Sequence, residues 1–132
     1  MATSCDIERE EPPGKHLAVL AESLFLVNLL VLPGIAFLVI LRLWFKHKLD
    51  APTLARSHLR QVFYTSLRGG LLVAAAGIAL LLPWLSEGAK WVVLIMYFTC
   101  VHSVLVCFGI IGLAKAMAGS EFRYPLLGPS VS

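Results

Sequence analysis

Apolar residues run almost unbroken from Leu17 to Phe45, from Gly70 to Leu85 and from Trp91 to Ala114, with one long basic stretch between the first two runs. A helix needs about 20 apolar residues to cross a hydrocarbon core of ~30 Å. The first run would extend roughly 43 Å as one straight helix, more than a crossing requires. Glu22, Asn28 and Pro33-Gly34 interrupt it. The pattern predicts one span over about 24–45, kinked where Pro33 removes a backbone hydrogen bond. A hairpin broken at Pro33-Gly34 is the alternative, disfavoured because each half is too short to cross. The second run, about 70–85, is short unless the preceding helix supplies its first turns. The third, about 91–114, carries no formal charge and is bracketed by Lys90 and Lys115.

Between the first two spans the period changes. Thr53, Arg56, Ser57, Arg60, Gln61, Tyr64, Thr65 and Arg68 recur at three- and four-residue steps. Leu54, Ala55, Leu59, Val62, Phe63 and Leu67 fill the opposite arc, which predicts an amphipathic helix over about 52–68 with an arginine face. Asp50 and Pro52 read as its start, and Gly69-Gly70 as a bend into the bilayer. Two stripes of small residues, Gly70/Ala74/Gly77 and Gly109/Gly112/Ala116, offer close helix contacts. The predicted fold is an all-α integral membrane protein with three transmembrane helices and a basic cytoplasmic interfacial helix. Residues 1–16 form an acidic, proline-broken tail read as disordered, 17–118 the membrane domain, and 119–132 a cytoplasmic tail.

Composition agrees with the pattern. The chain is 58% hydrophobic and only 14% charged, with a mean hydropathy of +0.82, which a soluble domain does not reach. The net charge of +3 is too small to imply nucleic-acid affinity. Its distribution matters more. Arg42, Lys46, Lys48, Arg56, Arg60, Arg68, Lys115 and Arg123 fall on one side of the predicted spans, and Arg9, Lys15 and Lys90 on the other. The positive-inside rule then places the N-terminus of a multi-pass membrane protein outside and its C-terminus in the cytoplasm. Expected partners are the bilayer, anionic head groups drawn to the arginine face, and other membrane subunits or further copies of this chain.

The chemistry-bearing residues are few. His102 lies deep in the third span, where an ionisable side chain is a functional candidate. Cys100 and Cys107 share a face seven residues apart, but His102 points away from it, so no metal, haem or other cofactor is expected. A polar path through Glu22, Asn28 and His102 competes with the simpler reading of an interfacial Glu22 and an Asn28 that joins helices. His58 is a contact to the tail or to a partner, or an interfacial histidine bonded to backbone or phosphate. Catalytic signatures are lacking: the sequence contains no nucleophile elbow, zinc-protease pattern or phosphate loop.

Two segments carry a resemblance. Ala55-Arg56-Ser57-His58-Leu59-Arg60-Gln61 leads into the second span, and Ala114-Lys115-Ala116-Met117-Ala118-Gly119-Ser120-Glu121-Phe122-Arg123-Tyr124-Pro125-Leu126 follows the third. Together they resemble a family of small bacterial membrane proteins related to the channel-like component of the chloroplast inner-envelope translocon. The resemblance implies a small helical bundle, with Arg56, His58, Arg60, Gln61, Gly119, Arg123, Tyr124 and Pro125 as motif residues; Arg68, from the arginine face, and His102, from its place in the third span, join them as candidate contacts. The small-residue faces and the lack of catalytic groups predict a non-catalytic subunit or accessory factor of a larger membrane complex; the resemblance implies translocation or insertion as its concrete form, in a bacterial inner membrane. An oligomeric channel or transporter is the alternative, and a metal- or haem-binding membrane protein a third. The surface helix and the tail motif fall on one side of the membrane, which suggests that they pack as one platform.

Overall fold

The computed structural model describes residues 11–123, and every element in it is helical. Five α-helices follow one another: α1 (Lys15–Leu30), α2 (Ile35–His47), α3 (Thr53–Leu80), α4 (Glu87–Met96) and α5 (Ser103–Met117). A π-helical segment, Tyr97–His102, joins α4 to α5 without a break. Two stretches are long and apolar enough to cross a membrane: α3, and the 31 residues from Glu87 to Met117. Only 22% and 11% of their most apolar windows are buried inside the protein. That outward-facing apolar surface is a membrane helix's pattern, the reverse of a soluble core helix.

The expected single span over 24–45 is two helices. α1 stops at Leu30 and α2 starts at Ile35, with Gly34 at φ 90° in the turn between them. Asn28 Oδ1 accepts a hydrogen bond from the Gly34 amide at 3.0 Å, so the side chain expected to join helices instead holds the turn. Ala21 and Phe25 of α1 share a buried cluster with Ile40 of α2. A straight or gently kinked helix would hold Ala21 and Ile40 almost 30 Å apart. The segment is therefore a folded-back hairpin. With 16 and 13 residues, its arms are roughly 24 Å and 20 Å long, each short of the hydrocarbon thickness.

The hairpin changes the topology. Pro12 lies against Gly119, and Gly14 lies against Pro52 and Ala55. The entry to α1, the α2–α3 turn and the exit from α5 therefore meet at one end of the bundle. Lys15 and Lys115, expected on opposite sides of the spans, thus stand toward the same end of the bundle. Lys15, Lys46, Lys48, Arg56, Lys115 and Arg123 gather toward that shared end, while Lys90 sits by the opposite loop, paired with Glu87 at 2.7 Å.

The helix over 52–68 and the span over 70–85 are also one object. α3 continues through Gly69-Gly70 without a break. Gly69 is buried, with Leu105 of α5 close to where a Cβ would stand, so the glycine serves helix contact and not a bend. Pro52 takes the position before α3, and no side chain caps the helix, so the expected Asp50 cap is not formed. Arg56 closes the α2–α3 turn in its place, donating to the carbonyls of Leu49 at 2.8 Å and Ala51 at 3.1 Å. At the far loop Ser86 Oγ accepts from the Ala89 amide, an ordinary N-cap.

α1 is the central helix, packed by α5, α3 and α2. Leu105, Gly109, Gly112 and Ala116 give α5 its buried stripe. A Cβ on Gly109 would come within 2.6 Å of Leu26 and 3.0 Å of Phe25. That small-residue stripe is thus consumed inside the chain, by the hairpin. Phe37, Phe63 and Trp44 stack between α2 and α3 and tie the second arm down.

Candidate functional site

Polar side chains line the inner face of α3. His58, Gln61, Thr65 and Ser66 are all buried, on the face turned toward the hairpin. Opposite His58, one side chain of α1 is charged and wholly buried: Glu22. Sequence spacing places them on different predicted elements; folding the hairpin brings them together.

His58 Nδ1 lies 2.6 Å from Glu22 Oε1, and His58 Nε2 lies 2.7 Å from the Ser120 carbonyl oxygen. A carbonyl oxygen only accepts, so Nε2 carries a hydrogen and donates to it. Nδ1 then faces a carboxylate oxygen at a distance that requires a proton between them. With the proton on nitrogen the pair is imidazolium and carboxylate; with it on oxygen, imidazole and carboxylic acid. Both forms hold the same number of protons and no net charge, as an interior of low dielectric demands. The result ties three parts of the chain, since Glu22 is on α1, His58 on α3 and Ser120 just past α5.

Toward the bundle centre the polar face meets a cavity of about 500 Å³. Its walls are the hairpin tip with Asn28, Pro33 and Gly34, the middle of α3 from Thr65 to Val73, and the π segment with Tyr97, Phe98 and His102. The cavity exists because the hairpin is about half as long as its neighbours and leaves the space beyond its tip unfilled. His102 is half-buried on this wall, its ring 5.7 Å from that of Phe98. Thr65 Oγ1 and Ser66 Oγ are buried with no hydrogen-bond partner.

The anticipated residues separate into groups. His58 is a buried hub and not an interfacial side chain, and the tail reaches it through Ser120, as the platform reading expects. Gln61 is buried on the same face. Gly119, at φ 71°, is where the chain turns against Pro12. Arg56 is committed to the turn, whereas Arg68 and Arg123 are exposed and Arg60 half-buried. Tyr124 and Pro125 lie outside the described residues, as do residues 1–10 of the acidic tail. The polar path through Glu22, Asn28 and His102 is split, because Asn28 and His102 face the cavity while Glu22 bonds to His58. Cys100 and Cys107 are exposed, and the described residues contain no cluster of three metal-ligating side chains.

Sequence reasoning passed over Glu22 as His58's partner, and Thr65 and Ser66 as more than a polar arc. The available signal was the inner-face spacing of His58, Gln61 and Thr65, combined with a lone carboxylate in an apolar run.

A family model describing the magnetosome magnetite crystal formation proteins, MamF/MmsF, matches residues 14–131. The chain belongs to that family. No curated protein and no solved structure matches it. The match runs through both segments that resemble the translocon-related proteins, residues 55–61 and 114–126. That resemblance is therefore corrected: the motifs lie within a MamF/MmsF chain, and the expected tie to translocation or insertion has no support. MamF/MmsF proteins are small magnetosome membrane proteins involved in magnetite crystal formation. The apolar outer surface of α3 and of the helix from Glu87 to Met117 agrees with membrane residence.

Proposed function

We propose that this chain is a non-catalytic accessory protein of the magnetosome membrane that supports magnetite crystal growth from the cytoplasmic side. The MamF/MmsF match over nearly the whole chain carries this reading. The distribution of charge supports the side. Positive charge collects at the end where the α1 entry, the α2–α3 turn and the α5 exit meet, and such an end stays in the cytoplasm. What faces the compartment interior is then the short connection around Leu81–Ser86, with Glu87 paired to Lys90. One paired carboxylate is a poor surface for ordering iron and oxide ions. The protein acts instead through its basic end, where the Glu22–His58–Ser120 chain fixes the tail beside α3. Anionic head groups and other membrane subunits are the partners that such an end suits.

Deletion of the coding sequence from a magnetite-forming cell, with crystal sizes measured by electron microscopy, tests the reading. Smaller or fewer crystals are expected, restored by the wild-type chain and not by one truncated before Ser120. Normal crystals after deletion would overturn it.

A further inference from the structure

We propose that the mid-bundle cavity binds a membrane-soluble quinone, held by hydrogen bonds from Thr65 and Ser66 to a ring carbonyl. Five observations lead there. The cavity, about 500 Å³, has the size of a small-molecule site. Thr65 is fully buried and Ser66 is 7% exposed, both line the cavity, and neither hydroxyl oxygen has a hydrogen-bond partner. A buried hydroxyl left unpaired is costly, so a ligand that accepts from it gains what the protein forgoes.

The other walls define the ligand's remaining character. Phe25, Leu29, Phe37 and Leu105 are apolar, and no Lys, Arg, Asp or Glu lines the space, so a charged ligand finds no counter-ion. Tyr97 and His102 complete the polar side. The exposed residues at the mouth, including Pro33, Leu71, Val73 and Phe98, are apolar, so entry is from the bilayer and not from water.

Depth narrows the class further. Thr65 and Ser66 stand at the middle of α3, and Tyr97–His102 at the middle of the helix from Glu87 to Met117. When those helices cross a bilayer, the cavity lies within its apolar layer, with Arg68, exposed within one turn of Thr65, reaching back toward the head groups. A quinone brings a neutral ring with carbonyl acceptors and an apolar tail to that depth.

The test uses the full chain in mild detergent, titrated with a short-tailed ubiquinone analogue by equilibrium dialysis, with a saturated fatty acid as competitor. Gly70→Leu fills the space, because Gly70 lines the cavity and a Cβ there meets nothing within 4 Å. Thr65→Val combined with Ser66→Ala removes both donors while keeping the shape. Expected are saturable quinone binding by the wild type, binding weakened about tenfold or more in the double variant, and none in Gly70→Leu. Monodisperse elution of each variant shows that the fold is kept, and should Gly70→Leu aggregate, the double variant decides alone. Absence of saturable binding to the wild type, equal binding by the wild type and the double variant, or equal displacement by the fatty acid would each overturn the proposal.

Discussion

The two polar regions on the inner face of α3 lie about two helical turns apart and are handled in opposite ways. Near the basic end, His58 uses both ring nitrogens, one on Glu22 and one on the Ser120 carbonyl. At mid-bundle, Thr65 and Ser66 have buried hydroxyls without partners beside an open space. One helix carries both, and α1 packs along it, so the difference arises from where α1 ends. Over the first region α1 supplies a carboxylate; over the second it has turned back at Asn28 and Gly34. The short hairpin thus makes one region a closed structural tie and leaves the other available for a ligand.

The largest expected effect comes from breaking the tie on one side only. Glu22→Leu leaves the His58 ring buried without its acceptor and should destabilise the protein by about 3–5 kcal/mol. Adding His58→Leu should recover much of that loss, since an apolar pair replaces a buried ionic one. Denaturant titration in detergent, read as a double-mutant cycle, measures both numbers. A cycle with no coupling would mean that the two regions are not handled differently at all.

Next in size is the α1–α5 contact that positions both regions. Gly109→Val places new atoms against Leu26 and Phe25 and should cost about 1–3 kcal/mol by overpacking. Gly70→Val, with nothing near its Cβ, should leave stability within about 0.5 kcal/mol of wild type. Thermal unfolding of the two variants side by side separates the occupied small-residue stripe from the open one.

A smaller effect is expected at the hairpin tip. Asn28→Ala frees the Gly34 amide and should cost about 0.5–1.5 kcal/mol. Hydrogen exchange should accelerate around residues 31–36 while the amides near His58 stay protected. Uniform acceleration would show that tie and tip are one cooperative unit.

How much of this was legible in the sequence depends on range. The apolar exterior, the helix from Glu87 to Met117 and the basic character of the α2–α3 turn follow from local pattern and were readable. The hairpin was legible only as the disfavoured alternative, because hydropathy sums over Leu17 to Phe45 without registering a reversal at Pro33-Gly34 and each arm is too short to cross. With the reversal set aside, Lys15 was counted apart from Lys46 and Arg56, although the fold gathers all three toward one end. Glu22 and His58 lie 36 residues apart, and Ser120 a further 62, separations that no periodicity connects. The glycine pair at Gly69-Gly70 looked like a bend because the fit of Leu105 against it is a tertiary fact. The π segment at Tyr97–His102 left no readable mark. Family membership also exceeded the two short motifs, which are too brief to separate related membrane proteins.

The topology of the bundle rests on the α1–α2 segment being a hairpin, and one measurement addresses that directly. Single cysteines are placed at position 12, at position 50 and at position 87 in a chain otherwise free of cysteine, then labelled with a membrane-impermeant maleimide in sealed, oriented vesicles. The fold requires positions 12 and 50 to react from the same side and position 87 from the other. Reaction of positions 12 and 50 from opposite sides would show that residues 17–45 cross the membrane, and would contradict the account.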